Sequence, residues 1–356
     1  MDITNVAVIT LAYLMISWFI TIYNHSIILS NFSLGPSEQN NFTINFLINT
    51  LIGFIAGVSG GALLVTVNNK IFRKRSFRYA MLTTASGYVL IFLFITTLVS
   101  VITAILIADD SSTFGNIMKI VFLNFTNPTI IVYFFMWGTI TLFTLFYLQI
   151  NDKFGPGILS KFLMGKYHHP REEERIFMFL DMKSSTAIAE KIGNEKYFSL
   201  LNDVFSDITN AIIASEGEIY QYVGDEIVIS WTMKKGVTNA NCLQCFNNIQ
   251  KRINELSKYY NDKFGLVPEF KAGLHYGKVT AGEVGSIKKD IVYSGDVLNT
   301  TSRIQEQCNH HNVNFIISRQ TFDLIEDKTQ FELIHLGNIE LRGKQDKIDL
   351  NTIRLV

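Results

Sequence analysis

The sequence predicts an α-helical transmembrane domain of four spans joined to an α+β domain with a ferredoxin-like core. Three observations carry this expectation. The 356 residues are 48 % hydrophobic and only 17 % charged, too apolar for an ordinary soluble chain. The charge is also unevenly spread: 12 of the 62 charged side chains fall in the first 155 residues and 50 in the last 201. Charge density thus rises from about 8 % to about 25 % near Lys153. Finally, the polar half runs strand, helix, hairpin, helix, strand, a βαββαβ order. The expected division is a membrane domain over 1–150, a connector over 151–174 and a charged globular domain over 175–356. Equal numbers of basic and acidic residues, 31 each, exclude a generally nucleic-acid-binding surface. Three cysteines exclude a disulfide framework and suit a reducing cytosol.

The apolar stretches run from Ile3 to Tyr23, Ile44 to Val67, Tyr79 to Ala108 and Thr129 to Ile150, each near or above the ~20 residues a helix needs to cross hydrocarbon. The loop after the second carries Lys70, Arg73, Lys74, Arg75 and Arg78. The other two loops carry Glu38, Asp109, Asp110 and Lys119. The positive-inside rule therefore places the basic loop, both termini and the polar half in the cytoplasm of a cell or inner membrane. The first span has neither a basic n-region nor a cleavage site and reads as an uncleaved anchor. Gly53 and Gly57 form a small-xxx-small pair that serves either packing within the chain or a dimer seam. No Asp, Glu, Lys or Arg lies within the spans, which disfavours an ion or proton pathway. His25 reads as interfacial.

Gly155, Pro156 and Gly157 break the fourth helix and open the connector. His168 and His169 read as solvated connector residues, because adjacent side chains diverge and no third ligand is nearby. The run Glu172 to Glu174 reads as a solvated face or a helix start.

A strand begins at Arg175 and its apolar run ends on Asp181. Helical periodicity follows to Ala214. Two short strands, EIYQYV and EIVISW, flank Gly224 and Asp225 as a hairpin. A long helix is expected from Val237 to Tyr260, then strands at Phe270 to Tyr276 and Lys278 to Glu283. This order puts the end of the first strand beside the hairpin tip, so Asp181 and Asp225 meet. Two adjacent carboxylates repel unless one is protonated or a cation lies between them, and hard oxygen ligands suit Mg²⁺ or Mn²⁺. Taken singly, Asp225 reads as a turn residue and Asp181 as a helix cap. Asn299 and Arg303, four apart, project from one helix face; a guanidinium fork suits phosphate and an amide suits a sugar. Cys242 and Cys245 form a CxxC without a partner pair and read as buried small residues. Cys308, with His310 and His311, reads as a helix end.

DMKSST, YVGDE and GDVLNTTSRIQ, in that order, resemble the class III nucleotidyl cyclases, here a membrane-anchored type with four spans. The resemblance covers Arg175 to Val356, and the 44-residue separation of Asp181 and Asp225 matches it. It implies a homodimer with shared sites: Asp181 and Asp225, assisted by the Met182 carbonyl, hold two divalent cations opposite Asn299 and Arg303 of the other chain. It implies a nucleoside triphosphate substrate, ATP favoured, closed to a 3′,5′-cyclic nucleotide with release of pyrophosphate. LRGKQDK resembles the basic loop over the β- and γ-phosphates, pointing to Arg342 and Lys344.

The base-facing positions depart from the family. ATP-using members usually carry a lysine and an aspartate or threonine where this chain has Gln221 and Val292. A Gln221 amide can meet adenine, guanine or cytosine by flipping, and Val292 offers no hydrogen bond. Guanylate or pyrimidine cyclisation by the same mechanism is thus the alternative, followed by a non-catalytic nucleotide-binding membrane sensor.

Overall fold

The computed structural model describes residues 2–31, 42–68, 77–107, 114–154, 164–287, 289–344 and 346–355. The basic-loop residues Lys70, Arg73, Lys74 and Arg75, the acidic Glu38, Asp109 and Asp110, and the Gly155 to Gly157 break lie outside them. The chain divides into two compact units, Met1–Phe154 and Gly155–Val356.

In the first unit, helices α1 (Asp2–Asn31), α2 (Phe42–Thr66), α3 (Phe77–Ile107) and α5 (Thr129–Phe154) contain stretches long and apolar enough to cross a membrane: Ile3–Ser26, Phe42–Thr66, Arg78–Ile105 and Thr129–Asn151. The loop expected before the last span instead holds α4 (Phe114–Thr126), 13 residues long and too short to span. Pro128 breaks the apolar run there: Ile130 N–H bonds Asn127 C=O at 3.0 Å as α5 restarts. The α2 glycines pack within the chain, antiparallel to α1. A Cβ at Gly53 would lie 2.9 Å from Ser17 Cβ, and one at Gly57 only 2.7 Å from Thr10 Cα.

The second unit is built on an eight-stranded sheet: β1 (Arg171–Met182), β2 (Glu218–Val223), β3 (Glu226–Thr232), β4 (Phe270–Val284), β5 (Asp290–Ser294), β6 (Phe315–Ser318), β7 (Phe331–Glu340) and β8 (Lys347–Leu355). Its order is β2-β3-β1-β4-β6-β8-β7, with β5 paired to β4. The first four strands in that order are the expected ferredoxin-like arrangement. Helices α6 (Ser185–Ile192), α7 (Asn194–Ala214), α8 (Met233–Val237), α9 (Asn241–Glu255) and α10 (Ser257–Phe264) belong to the same unit, as do α11 (Asp296–His311) and α12 (Arg319–Asp323).

Alternation along β1 divides the core. Ile176, Met178, Leu180 and Met182 face Leu200, Val204 and Ile208 of α7 together with α9. Phe177 and Phe179 face the opposite way, with Tyr293 and Val297 of α11. Burial on both faces explains why the strand reads as a nearly unbroken apolar run.

Four expectations need correction. β1 starts at Arg171, not Arg175: residues 171–174 pair with β4 from Arg171↔Ala281 to Glu174↔Lys278, so the glutamate run is strand rather than helix start. The helix to Ala214 breaks at Gly193, whose φ of +84° suits glycine. The helix expected from 237 to 260 is several pieces, because Asn239 and Ala240 take left-handed φ values of 54° and 51° and the chain breaks again at Leu256. The strands expected at 270–276 and 278–283 are one 15-residue strand, β4; Gly277 looked like a break but is where Val297 of α11 comes close.

Candidate active site

Asp181 is the penultimate residue of β1. The register sets it between Glu226 of β3 and Lys271 of β4. Its odd position turns the side chain to the α11 face, where Lys271 Nζ lies 3.1 Å from Oδ2 and Gln305 Nε2 donates to it at 3.0 Å. Asp225 follows Gly224, whose φ of +63° forms the tight β2–β3 turn that brings Asp225 to Asp181. Burial raises the Asp181 pKa, Lys271 opposes the rise, and Asp225 adds to it by charge and hydrogen bonding. Burial and then the charges of Asp181 and Asp225 push the neighbouring Glu226 up to about 7. Asp181 does not cap the next helix: Ser184 occupies that position, with φ 55° and no side-chain cap.

Sequence reasoning missed Glu226, Lys271 and Gln305. Their signal is relational, arising from cross-strand register and from α11 lying against β4. Tyr197 also borders the carboxylates; burial and then Asp225 raise its pKa.

The donor set fits a hard cation. Among the described residues no group of three His, Cys, Asp or Glu is arranged to hold a metal ion by itself, so a cation would take the carboxylate pair and complete its shell from backbone, water and phosphate oxygens, as Mg²⁺ does. The Met182 side chain is buried in the core, leaving its backbone carbonyl as the group it can offer. Cys242 and Cys245 are fully buried; burial pushes the first thiol to about 12 and raises the second, so neither supplies a thiolate. Cys308 is buried, its Sγ 3.4 Å from Ala272 C=O. His168 and His169 are exposed and pack ring to ring at 5.1 Å.

Asn299 and Arg303 stand on the outward side of α11, while Thr300, Thr301, Ile304 and Gln305 turn inward. The turn bearing Arg342 and Lys344 runs over Arg303: a Cβ at Gly343 would lie 3.5 Å from the guanidinium. Lys344 is ion-paired to Asp296, which also accepts from Thr300 Oγ1 at 3.3 Å. That lysine, chiefly through the hydrogen bond, lowers the Asp296 pKa. Arg342 is exposed. Within one chain, then, Asp181 is bounded by Lys271, Gln305 and Asp225, and Arg303 by Gly343 and Asp296.

Gln221 lies exposed on β2 just past a bulge, and half-buried Val292 of β5 pairs with Gly282 of β4. Their neighbours meet: Tyr293 N–H donates to Tyr220 OH at 3.2 Å, with ring centroids 4.8 Å apart. Tyr293 also covers Arg175, whose guanidinium carbon is 4.7 Å from the ring centroid. Arg175 is fully buried and donates to Glu218 at 2.6 Å, Ser230 at 3.0 Å and Glu173 at 3.1 Å. Burial opposes its charge, but Tyr293, Glu218 and Glu173 outweigh that and its pKa ends raised.

The Adenylate and Guanylate cyclase catalytic domain family matches residues 168–353. That is more than half of the chain, and the chain belongs to this family; its second unit is a nucleotidyl cyclase catalytic domain. It is 31 % identical over 204 residues to Adenylate cyclase 2 of Rhizobium meliloti (strain 1021), covering 57 % of this chain and 56 % of that protein. It is 26 % identical over 171 residues to the receptor-type guanylate cyclase gcy-28 of Caenorhabditis elegans, covering 47 % and 13 %. The chain thus spans about half, or less, of the length of these relatives. A bacterial light-regulated adenylyl cyclase has the same fold, with a TM-score of 0.53 at 22 % identity over 64 % of this chain and 66 % of that one.

Proposed function

We propose that the protein is a membrane-bound cyclase that converts ATP to 3′,5′-cyclic AMP and pyrophosphate at sites shared between two copies of the chain. The observation that carries this reading is the Asp181–Asp225 carboxylate pair at the end of β1 and the tip of the β2–β3 hairpin, with Asn299 and Arg303 one turn apart on α11. In the functional division 1–150 anchors, the segment before β1 connects and the domain from Arg171 onward catalyses, in the cytoplasm by the positive-inside rule.

Asp181 and Asp225, with the Met182 carbonyl, would hold two divalent cations, Mg²⁺ or Mn²⁺. When bound, these activate the ribose 3′-hydroxyl and neutralise the triphosphate. Asn299 from the partner orients the ribose so that the 3′-oxygen lies in line with the α-phosphorus. The 3′-hydroxyl gives up its proton to solvent water, the new O–P bond forms as the bond to pyrophosphate breaks, and Arg303 stabilises the charge growing on the α-phosphate oxygens. Arg342 and Lys344 receive the β- and γ-phosphates, Lys344 exchanging its Asp296 partner for phosphate. Gln221 reads the base edge while Val292 makes apolar contact.

Val292 supports a second reading, GTP or a pyrimidine triphosphate as substrate, because an apolar contact discriminates bases weakly. One experiment tests both: incubate the purified chain with Mn²⁺ and each of the four nucleoside triphosphates and identify products by mass. Cyclic AMP as the main product is expected. Another cyclic nucleotide in its place transfers the assignment to that base, and no cyclic product from any substrate defeats the enzyme reading.

A further inference from the structure

We propose that the membrane unit contains a binding site for an uncharged, single-chain amphiphile, in the cavity lined by α1, α2, α3 and α5. The bundle is packed unevenly along its length. Ile9, Tyr13, Leu64, Val65, Leu145 and Leu148 form an apolar core at one end, where α1 begins and α2 and α5 finish. Toward the other end the helices line a half-open cavity of about 660 Å³, within the ~300–1,000 Å³ usual for small-molecule sites.

The lining is graded. At the end remote from Phe154, Asn24, Asn49, Ser100, Thr103, Asn124 and Asn127 contribute amides and hydroxyls. Deeper in, the walls are aliphatic and the floor is Tyr13, Tyr88, Trp137 and Thr141. A Tyr13–Thr141 hydroxyl contact of 3.2 Å and the Tyr13–Trp137 ring pair at 5.4 Å close that floor. Polar side chains on membrane helices are costly against lipid and belong to interiors and functional cavities. Here the amide-bearing sides of α1 and α2 turn toward one space.

No Asp, Glu, Lys or Arg lines the cavity among the described residues. A charged ligand would therefore be desolvated without a carboxylate, ammonium or guanidinium partner, His25 being the one imidazole among the described lining residues. The amides can both donate and accept, which suits a hydroxyl, ester or amide head. The aliphatic walls and aromatic floor suit a hydrocarbon body lying inward. The polar mouth and apolar depth of the cavity complement such a ligand, and no catalytic residue takes part.

The test is photolabelling of the full chain in lipid nanodiscs with a diazirine-bearing decan-1-ol, followed by peptide mapping. Saturable labelling of cavity residues is expected. Unlabelled decan-1-ol should protect at a concentration at least tenfold below decanoate or decane, each compared at equal concentration in the membrane. Asn49→Leu, which removes the amide, and Ala56→Phe, which fills the space, should each lower cavity labelling at least fivefold with elution and helical circular dichroism unchanged. Should either variant fail to fold, the other and the wild-type competition still decide. Unsaturable labelling spread over exposed residues such as Phe19, Leu93 and Phe143 overturns the proposal, as does equal protection by decanoate or decane, or full labelling in both folded variants.

Discussion

At the residue scale the candidate site is a balance of charges. Glu226, half-buried beside two carboxylates, is raised from its usual 4.5 to about 7. The folded chain therefore keeps a proton that the unfolded chain has already lost between those values, and stability falls as pH rises through that window. In metal-free buffer the melting temperature of the cyclase unit should drop between about pH 5 and about pH 7.5, and Glu226→Gln should flatten the drop. Calorimetry across that range decides; an equally steep wild-type and variant profile contradicts the assignment. Lys271, 3.1 Å from Asp181, holds that carboxyl down against burial. Lys271→Met should therefore move the acidic limb of the kcat/KM profile to higher pH, measured with saturating Mn²⁺.

At the element scale the contact that matters most is α11 lying directly on β4. A Cβ at Gly273 would sit 2.4 Å from Gln305 N, so the helix bearing Asn299 and Arg303 rests on bare backbone. Gly273→Ala should cost ~1–3 kcal/mol of stability by overpacking and lower kcat by up to about 10²-fold as the helix shifts. An unchanged kcat in the folded variant would show that α11 does not set the site. In the membrane unit, Gly57→Val should separate α1 from α2 and lower thermal stability by ~1–3 kcal/mol. The β2–β3 hairpin was legible because alternating apolar residues flank a Gly-Asp turn, and Asp181 because a charge closing an apolar run is conspicuous. Glu226, Lys271, Gln305 and the buried Arg175 were not, because their partners come from other strands or helices and no local pattern records register. The piecewise helix beyond Val237 escaped because its breaks lie at Asn239, Ala240 and Leu256, a backbone choice that residue type does not announce.

At the scale of the whole molecule, the proposed reading gives each chain two complementary half-sites. Asp181→Ala and Arg303→Ala should each lose about 10²-fold or more activity, while co-expressing the two should restore one good site per mixed dimer. A mixture as inactive as its parents contradicts shared sites. The placing of the carboxylate pair on β1 and the hairpin, and of Arg303 on α11, also has a kinetic consequence if the site is shared. If two chains must meet before either catalyses, output at low abundance rises with the square of surface density and becomes linear only when pairing saturates. Diluting a fixed number of chains into more lipid then lowers the rate per chain, which makes membrane area itself a variable in the rate law.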